Sequence, residues 1–269
     1  MFFKPFVLCH RPPLYVPPVG AAIVWLSISP PPVELEKYEI ILPDNLDPRL
    51  MAWQPFLSGL SGSFAVNEYL HRNSITDGRI VNINWRRFLT TRELGVEARN
   101  YPGMRILRPT ELDDSTVEQE IALCQTDLLM PKPVQVGDLL SQYYNCHPLQ
   151  DFLRFIAIAL DKEVLKKEDV YDLFHGKIVI PGALEFGLYP VKVYMELVKQ
   201  LKSIAFEFVS KCPPTCLDPY QRRAVAFSSE RLGTFLLKKE LDKRKSSELS
   251  SPYFGYTACV SDTDWYQVH

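Results

Sequence analysis

RIVNINWRRFL, residues 79–89, alternates apolar and polar side chains. Val81, Ile83 and Trp85 fall on one face of an extended chain, and Asn82, Asn84 and Arg86 on the other. The spacing predicts a strand with a polar face over the whole stretch. Upstream, FFKPFVLC (2–9) reads as a short buried strand that ends at a His10-Arg11-Pro12-Pro13 turn. Residues 21–28 and 38–42 give two more apolar runs, broken by PPP at 30–32 and PDN at 43–45. Helical spacing marks 56–73, through Leu57, Leu60, Phe64 and Tyr69. Downstream, 115–124, 149–160, 189–209 and 218–241 are predicted helical, and 127–130 and 177–180 strand-like. Strands interleaved with helices give an α/β fold with a mixed central sheet flanked by helices, whose ligand sits at the carboxyl ends of the strands.

The 269 residues are 46% hydrophobic, enough for one large core, and 30 Lys+Arg against 32 Asp+Glu leave a net charge of −2. That balance excludes a chain built to coat nucleic acid, which needs a basic excess. The sum hides an asymmetry. Residues 1–108 hold ten Arg and two Lys, whereas 131–269 hold thirteen Lys and five Arg. From Arg72 to Arg108, eight Arg face only Asp77, Glu93 and Glu97. Planar guanidinium forks suit phosphate and carboxylate, so this block points to a small anionic ligand.

No apolar run reaches the roughly 18–20 residues of a membrane span, and the proline-rich start is unlike a signal peptide. The expectation is a soluble, cytoplasmic chain. Its six cysteines show no framework spacing, and Cys212 and Cys216, in CPPTC, lack the second pair a zinc site needs. GxxxxGK[ST], GxGxxG, HExxH and GxSxG are absent. Residues 238–269 are expected to form the end of the last helix and a solvated tail.

The last predicted helix carries the densest chemistry. Asp218 followed by Pro219 is an N-terminal signature, and Arg222 and Arg223 in the next turn oppose the helix dipole unless an anion lies near. Glu230 and Arg231 interrupt its apolar face; a solvated edge and a face aimed into a site are both open. Arg86 and Arg87 close the 79–89 strand, and because neighbours diverge, one of them at most enters a given pocket. A charge-protected edge strand is the alternative. His10 ends the first strand. Tyr143, His147 and Asp151 form a third group, in which a His–Asp couple could serve as general base. Asp262-x-Asp264 reads as tail, with no metal site expected.

Taken together, VLCHRPPLYVPPVGAA (7–22, with Gly20), PDN (43–45), HRN (71–73), WRRF (85–88), DLLMP (127–131), the Gln142-Tyr143…His147…Asp151 series and DPYQRRAVAFSSERL (218–232) resemble, in order, a family of bacterial capsular and lipopolysaccharide biosynthesis proteins. The resemblance implies a single GT-A-like, Rossmann-related domain over 1–269 that moves a sugar from a nucleotide-sugar donor, a UDP-sugar foremost, to a glycan or lipid-linked acceptor. It implies donor contacts from His10, Arg11, Gly20, Arg86, Arg87, Asp218, Arg222 and Arg231, and catalysis by Asp151 or Glu230 with His147. A divalent metal and the oligomeric state stay open; peripheral association with the inner membrane face is a further implication. Departures stand at Asn84, where the family often has His, and at SFAVNEYLHRN (63–73), where it has an aromatic-rich helix. A non-catalytic glycan-assembly protein keeping the fold is the rival reading, and a phosphotransferase a third.

Overall fold

A computed structural model describes residues 2–124, 126–212, 218–244 and 253–263. The strands are β1 (Phe3–Cys9), β2 (Ala22–Trp25), β3 (Glu39–Ile41), β4 (Arg79–Asn84), β5 (Arg87–Thr90), β6 (Val96–Glu97), β7 (Met104–Leu107), β8 (Met130–Pro131), β9 (Val134–Gln135), β10 (Ile178–Val179), β11 (Gly187–Pro190) and β12 (Phe254–Val260). The helices are α1 (Pro43–Leu46), α2 (Arg49–Ala52), α3 (Gln54–Leu57), α4 (Leu60–Arg72), α5 (Thr116–Ala122), α6 (Leu139–Cys146), α7 (Leu149–Asp161), α8 (Asp169–Phe174), α9 (Val191–Lys211) and α10 (Ala224–Lys243).

The main sheet runs β3-β2-β1-β4-β5-β12-β7-β6, with β11 also on β4 and β8 on β12. Strands β3, β2, β1 and β4 are parallel, and β5 returns antiparallel. The sheet is therefore mixed, with helices packed against it, as the sequence pattern implies. β1 explains how both faces fill. Phe6 and Leu8 join the core under α4, α9 and α10, while Val7 and Cys9 join a second core with Phe88, Leu107, Val117 and Ile121. Period-two alternation in a strand buried on both sides sends apolar residues both ways.

The 79–89 stretch departs from expectation twice. It is a hairpin, in which Asn84 pairs with Arg87 across a Trp85-Arg86 turn. Its polar face is not solvent: Asn82 is fully buried and donates to Tyr194 Oη at 2.8 Å, and that hydroxyl donates to the Ser63 carbonyl at 3.0 Å. β4 lies inside the sheet, so the edge-strand alternative falls.

Other boundaries also move. The 56–73 helix breaks at Ser58, where φ is +53°, into α3 and α4. The helix expected from Asp218 begins at Ala224, behind a 3-10 turn at Gln221–Arg223. Asp218 caps that turn instead, accepting from the Tyr220 and Gln221 amides at 2.9 and 3.0 Å. The expected tail is corrected most. β12 enters the sheet between β5 and β7, with Ala258 and Cys259 fully buried. Gly255 there lies so close to the Thr90 carbonyl that a Cβ would sit 2.7 Å from it. Of the tail, 245–252 and 264–269 lie outside the described residues, as do 213–217 of the CPPTC loop and Asp264. The described cysteines are all free, and among the described residues no helix is long and apolar enough to cross a membrane.

One buried carboxylate ties the second face together. Glu120, fully buried on α5, accepts from Thr90 Oγ1 at 2.5 Å and from Arg92 Nε at 2.7 Å. Glu120→Ala leaves Arg92 to solvent and Thr90 Oγ1 to the Arg92 carbonyl, 2.9 Å away, and should cost about 1–2 kcal/mol in urea unfolding, from the lost buried links and the space left behind. Thr90→Val should cost clearly less, since it leaves the arginine pair intact.

Candidate functional site

β1 and β2 lie to one side of the point where the chain crosses to β4. The carboxyl ends of β1 and β4 therefore flank a topological switch point, where open α/β sheets place ligands. Four side chains gather there. The Arg11 and Arg86 guanidinium carbons lie 4.7 and 4.9 Å from the Trp85 ring centre, and the His10 ring meets Trp85 edge-on at 5.2 Å. Partial burial, then the charges of Arg11 and Arg86, hold the His10 imidazole below its ordinary range. The cluster is thus a neutral imidazole and two cations around one indole.

The turn is fixed from three sides. The Trp85 amide donates to the Leu8 carbonyl at 3.1 Å, Leu14 donates to the Trp85 carbonyl at 2.8 Å, and Val260 donates to the Arg86 carbonyl at 2.7 Å. Tyr15 adds a hydroxyl bond to the Asn84 carbonyl at 2.6 Å.

Next to the turn opens a cleft of about 500 Å³. Asn84 and Arg87 line it from the hairpin, Glu185 and Gly182 from the segment before β11, Tyr220 and Arg223 from the 3-10 turn, Phe227 and Glu230 from α10, and Lys132 from the loop after β8. Glu230 is oriented: it accepts from the Gly182 amide at 2.7 Å and pairs with Arg231 at 2.8 Å. Glu185, half-buried, packs against Gly59, where any side chain would strike its carboxylate. Burial first, then the nearby Glu230 charge, push the Glu185 carboxyl up to about 8, against the pull of Arg87 and Arg223. At neutral pH it carries a proton.

The expected site residues therefore scatter. His10, Arg11 and Arg86 meet at the switch point; Arg87 and Glu230 line the cleft. Gly20 does not join them: it precedes β2, at the amino edge of the sheet, in a turn with φ of +74°. Asp151 is fully buried on α7 and does not line the cleft. Arg231 is also buried; it binds Gln142 Oε1 at 2.9 Å, so it clamps α6 to α10. His147 is buried, its ring stacked on Phe227 at 3.9 Å and its Nδ1 3.0 Å from Gln221 Oε1. Arg222 is not among the cleft residues, whereas Arg223 is. Sequence reasoning missed Glu185, Lys132 and Tyr220. For Glu185 the signal was a carboxylate set among apolar residues in GALEFGLY. Among the described residues no group of three or more His, Cys, Asp or Glu is placed to hold a metal; Arg87, Lys132 and Arg223 supply the positive charge of the cleft.

This α/β architecture is found in a glycosyltransferase of known structure. That structure is the WbbM bifunctional glycosyltransferase in its apo form, similar at a TM-score of 0.72 and 14% identity over 96% of this chain and 45% of that one. The chain thus spans under half the length of the protein it matches, and the likeness is one of fold. No family model and no curated protein matches the sequence.

The raised Glu185 pKa has a testable sign. Folding holds its proton more tightly than the unfolded chain does, so its contribution to stability is complete below the ordinary value of 4.5 and lost as pH rises to about 8. Glu185→Gln should match the parent near pH 5 and melt about 3–6 °C higher at pH 9. Equal melting shifts at both pH values would contradict a buried, protonated Glu185.

Proposed function

We propose that the protein is a glycosyltransferase that moves a sugar from a nucleotide-sugar donor to a glycan or lipid-linked acceptor of a cell-surface polysaccharide. The observation that carries this is the pair of guanidiniums on Trp85 at the switch point, joined by one turn to a cleft with two carboxylates. The exposed His10 ring, held against Trp85, offers a face to a nucleobase, with uridine the leading choice from the family resemblance. Arg11 and Arg86 meet the phosphate nearer the nucleoside; Arg87 reaches the one bonded to the sugar. Charge on that diphosphate grows as the glycosidic bond breaks, and fixed cations in a partly dry cleft stabilise it most at that moment.

Glu230 serves as base for the acceptor hydroxyl, since the Gly182 amide and Arg231 orient it without burying it. Glu185, protonated, donates a hydrogen bond to a sugar oxygen. Asp151 is set aside because it does not reach the cleft. A lipid-linked acceptor would hold the protein at the inner face of the cell membrane.

A thermal-shift and calorimetric panel of nucleotide sugars tests the reading. The parent should bind at least one, and Arg11→Ala with Arg86→Ala should weaken nucleotide binding about 10-fold or more. No binding to any nucleotide or nucleotide sugar would leave the glycan-assembly reading in its place. In transfer assays Glu230→Gln should lose about 10²–10⁴ in kcat, while Glu185→Gln keeps most activity and Glu185→Ala does not.

A further inference from the structure

At the cleft mouth, the turn before α10 presents an aromatic surface that the donor does not need. Tyr220 is 51% exposed. Its ring centre lies 5.0 Å from that of Phe227 and 5.8 Å from that of His147, and His147 stacks on Phe227 at 3.9 Å. His147 stacks against both other rings, and Tyr220 leans at 41° to Phe227, so the three form one aromatic block. The Arg223 guanidinium lies over the Tyr220 ring, 4.6 Å from its centre, and 5.3 Å from that of Phe227, so the block carries a guanidinium's hydrogen-bond donors against its rings. Gln221 fixes it from behind: its side chain meets His147 Nδ1 at 3.0 Å and donates to the Cys146 carbonyl at 3.0 Å. Tyr101, 40% exposed, also lines the cleft, from the loop before β7.

A rigid aromatic face beside charged hydrogen-bonding groups matches a pyranose ring, which is apolar across its C–H face and polar around its hydroxyl edge. We propose that Tyr220, Phe227 and Arg223 form the subsite for the acceptor's terminal pyranose, with Tyr101 as the further wall. This rests on the glycosyltransferase reading for the word acceptor, and only for that. The platform stands in the same cleft as Glu230, so a sugar stacked on it brings a hydroxyl toward that carboxylate. The nucleoside is assigned to the Trp85 cluster, which does not line the cleft, and that leaves the Tyr220 block to the second substrate.

The test uses the full chain and a panel of methyl pyranosides of glucose, galactose, mannose and N-acetylglucosamine, read by saturation-transfer NMR with and without UDP. At least one glycoside should show transfer concentrated on one C–H face. Tyr220→Ala should raise its Kd about 5- to 50-fold, and Tyr220→Phe should hold it near the parent value. UDP binding should persist in Tyr220→Ala, which also confirms that the variant is folded. No glycoside binding, or binding indifferent to Tyr220→Ala, overturns the platform. Displacement of the glycoside by UDP overturns the acceptor assignment. Tyr220-dependent glycoside binding in a protein that binds no nucleotide would sink the transferase reading and leave the sugar platform standing.

Discussion

The constraint on which the site depends is the two-residue turn between β4 and β5. β4 is held in parallel register against β1, from Phe3 opposite Arg79 to Leu8 opposite Asn84, so both strands end at the same level. The chain must then reverse within Trp85 and Arg86. Backbone bonds from β1, the loop after it and β12 leave this turn little freedom. A turn this short sends neighbouring side chains in divergent directions. Arg86 lies over Trp85, and Arg87 enters the cleft. A slip of one residue would exchange them, and the pairing of Asn84 with Arg87 is what prevents it.

Electrostatics inside the cleft follow from how unequally its two carboxylates are solvated. Glu230 keeps its hydrogen-bond partners, a backbone amide and a guanidinium. Glu185 is pressed against Gly59, and among the causes acting on it desolvation outweighs the two arginines. Two carboxylates of the same residue type in one cleft thus meet different environments, and environment sets how readily each holds a proton. Gly59 matters here for space alone: its φ of −62° is open to any residue, and the carboxylate fills the volume a Cβ would take.

Much of the frame was legible from periodicity. β1, β2, β3, α7 and α9 lie within a few residues of where apolar spacing puts them, because each buries a regular apolar pattern. The failures have physical causes. A hairpin with a two-residue turn and no glycine or asparagine in it looks like one long strand, since alternation continues through Trp85 and Arg86. β12 holds good strand formers in Phe254, Tyr256, Thr257 and Val260, but it follows the charged run at 238–245, which reads as the start of a solvated tail, and its burial comes from β5 and β7 on either side. The start of α10 was misplaced because Asp218 and Pro219 cap a 3-10 turn as well as they cap a helix. Motif position singled out His10, Arg11, Arg86, Arg87 and Glu230, which the structure places at the switch point or in the cleft. Glu185 could not, because its protonation arises from contacts with Gly59 and α10, far along the chain.

The arginine-rich first half of the chain has two populations that counting could not separate. Arg72 binds the Asn45 and Leu46 carbonyls, Arg79 the Thr126 carbonyl, and Arg105 the Leu94 and Gly95 carbonyls. Arg49 grips Asp47 and Arg92 grips Glu120. These five are structural clamps, suited to the task because a planar fork can meet two acceptors at once. Three others, Arg11, Arg86 and Arg87, surround the switch point and the cleft. Part of the local excess of positive charge is therefore spent on loop carbonyls, through Arg72, Arg79 and Arg105, and part on the carboxylates of Asp47 and Glu120. What remains for a ligand is a narrow set of cations at one sheet edge. Arg11 and Arg86 lie on Trp85, and Arg87 stands with Glu230 in the neighbouring cleft, so these cations are confined to one turn of the chain rather than spread along a surface.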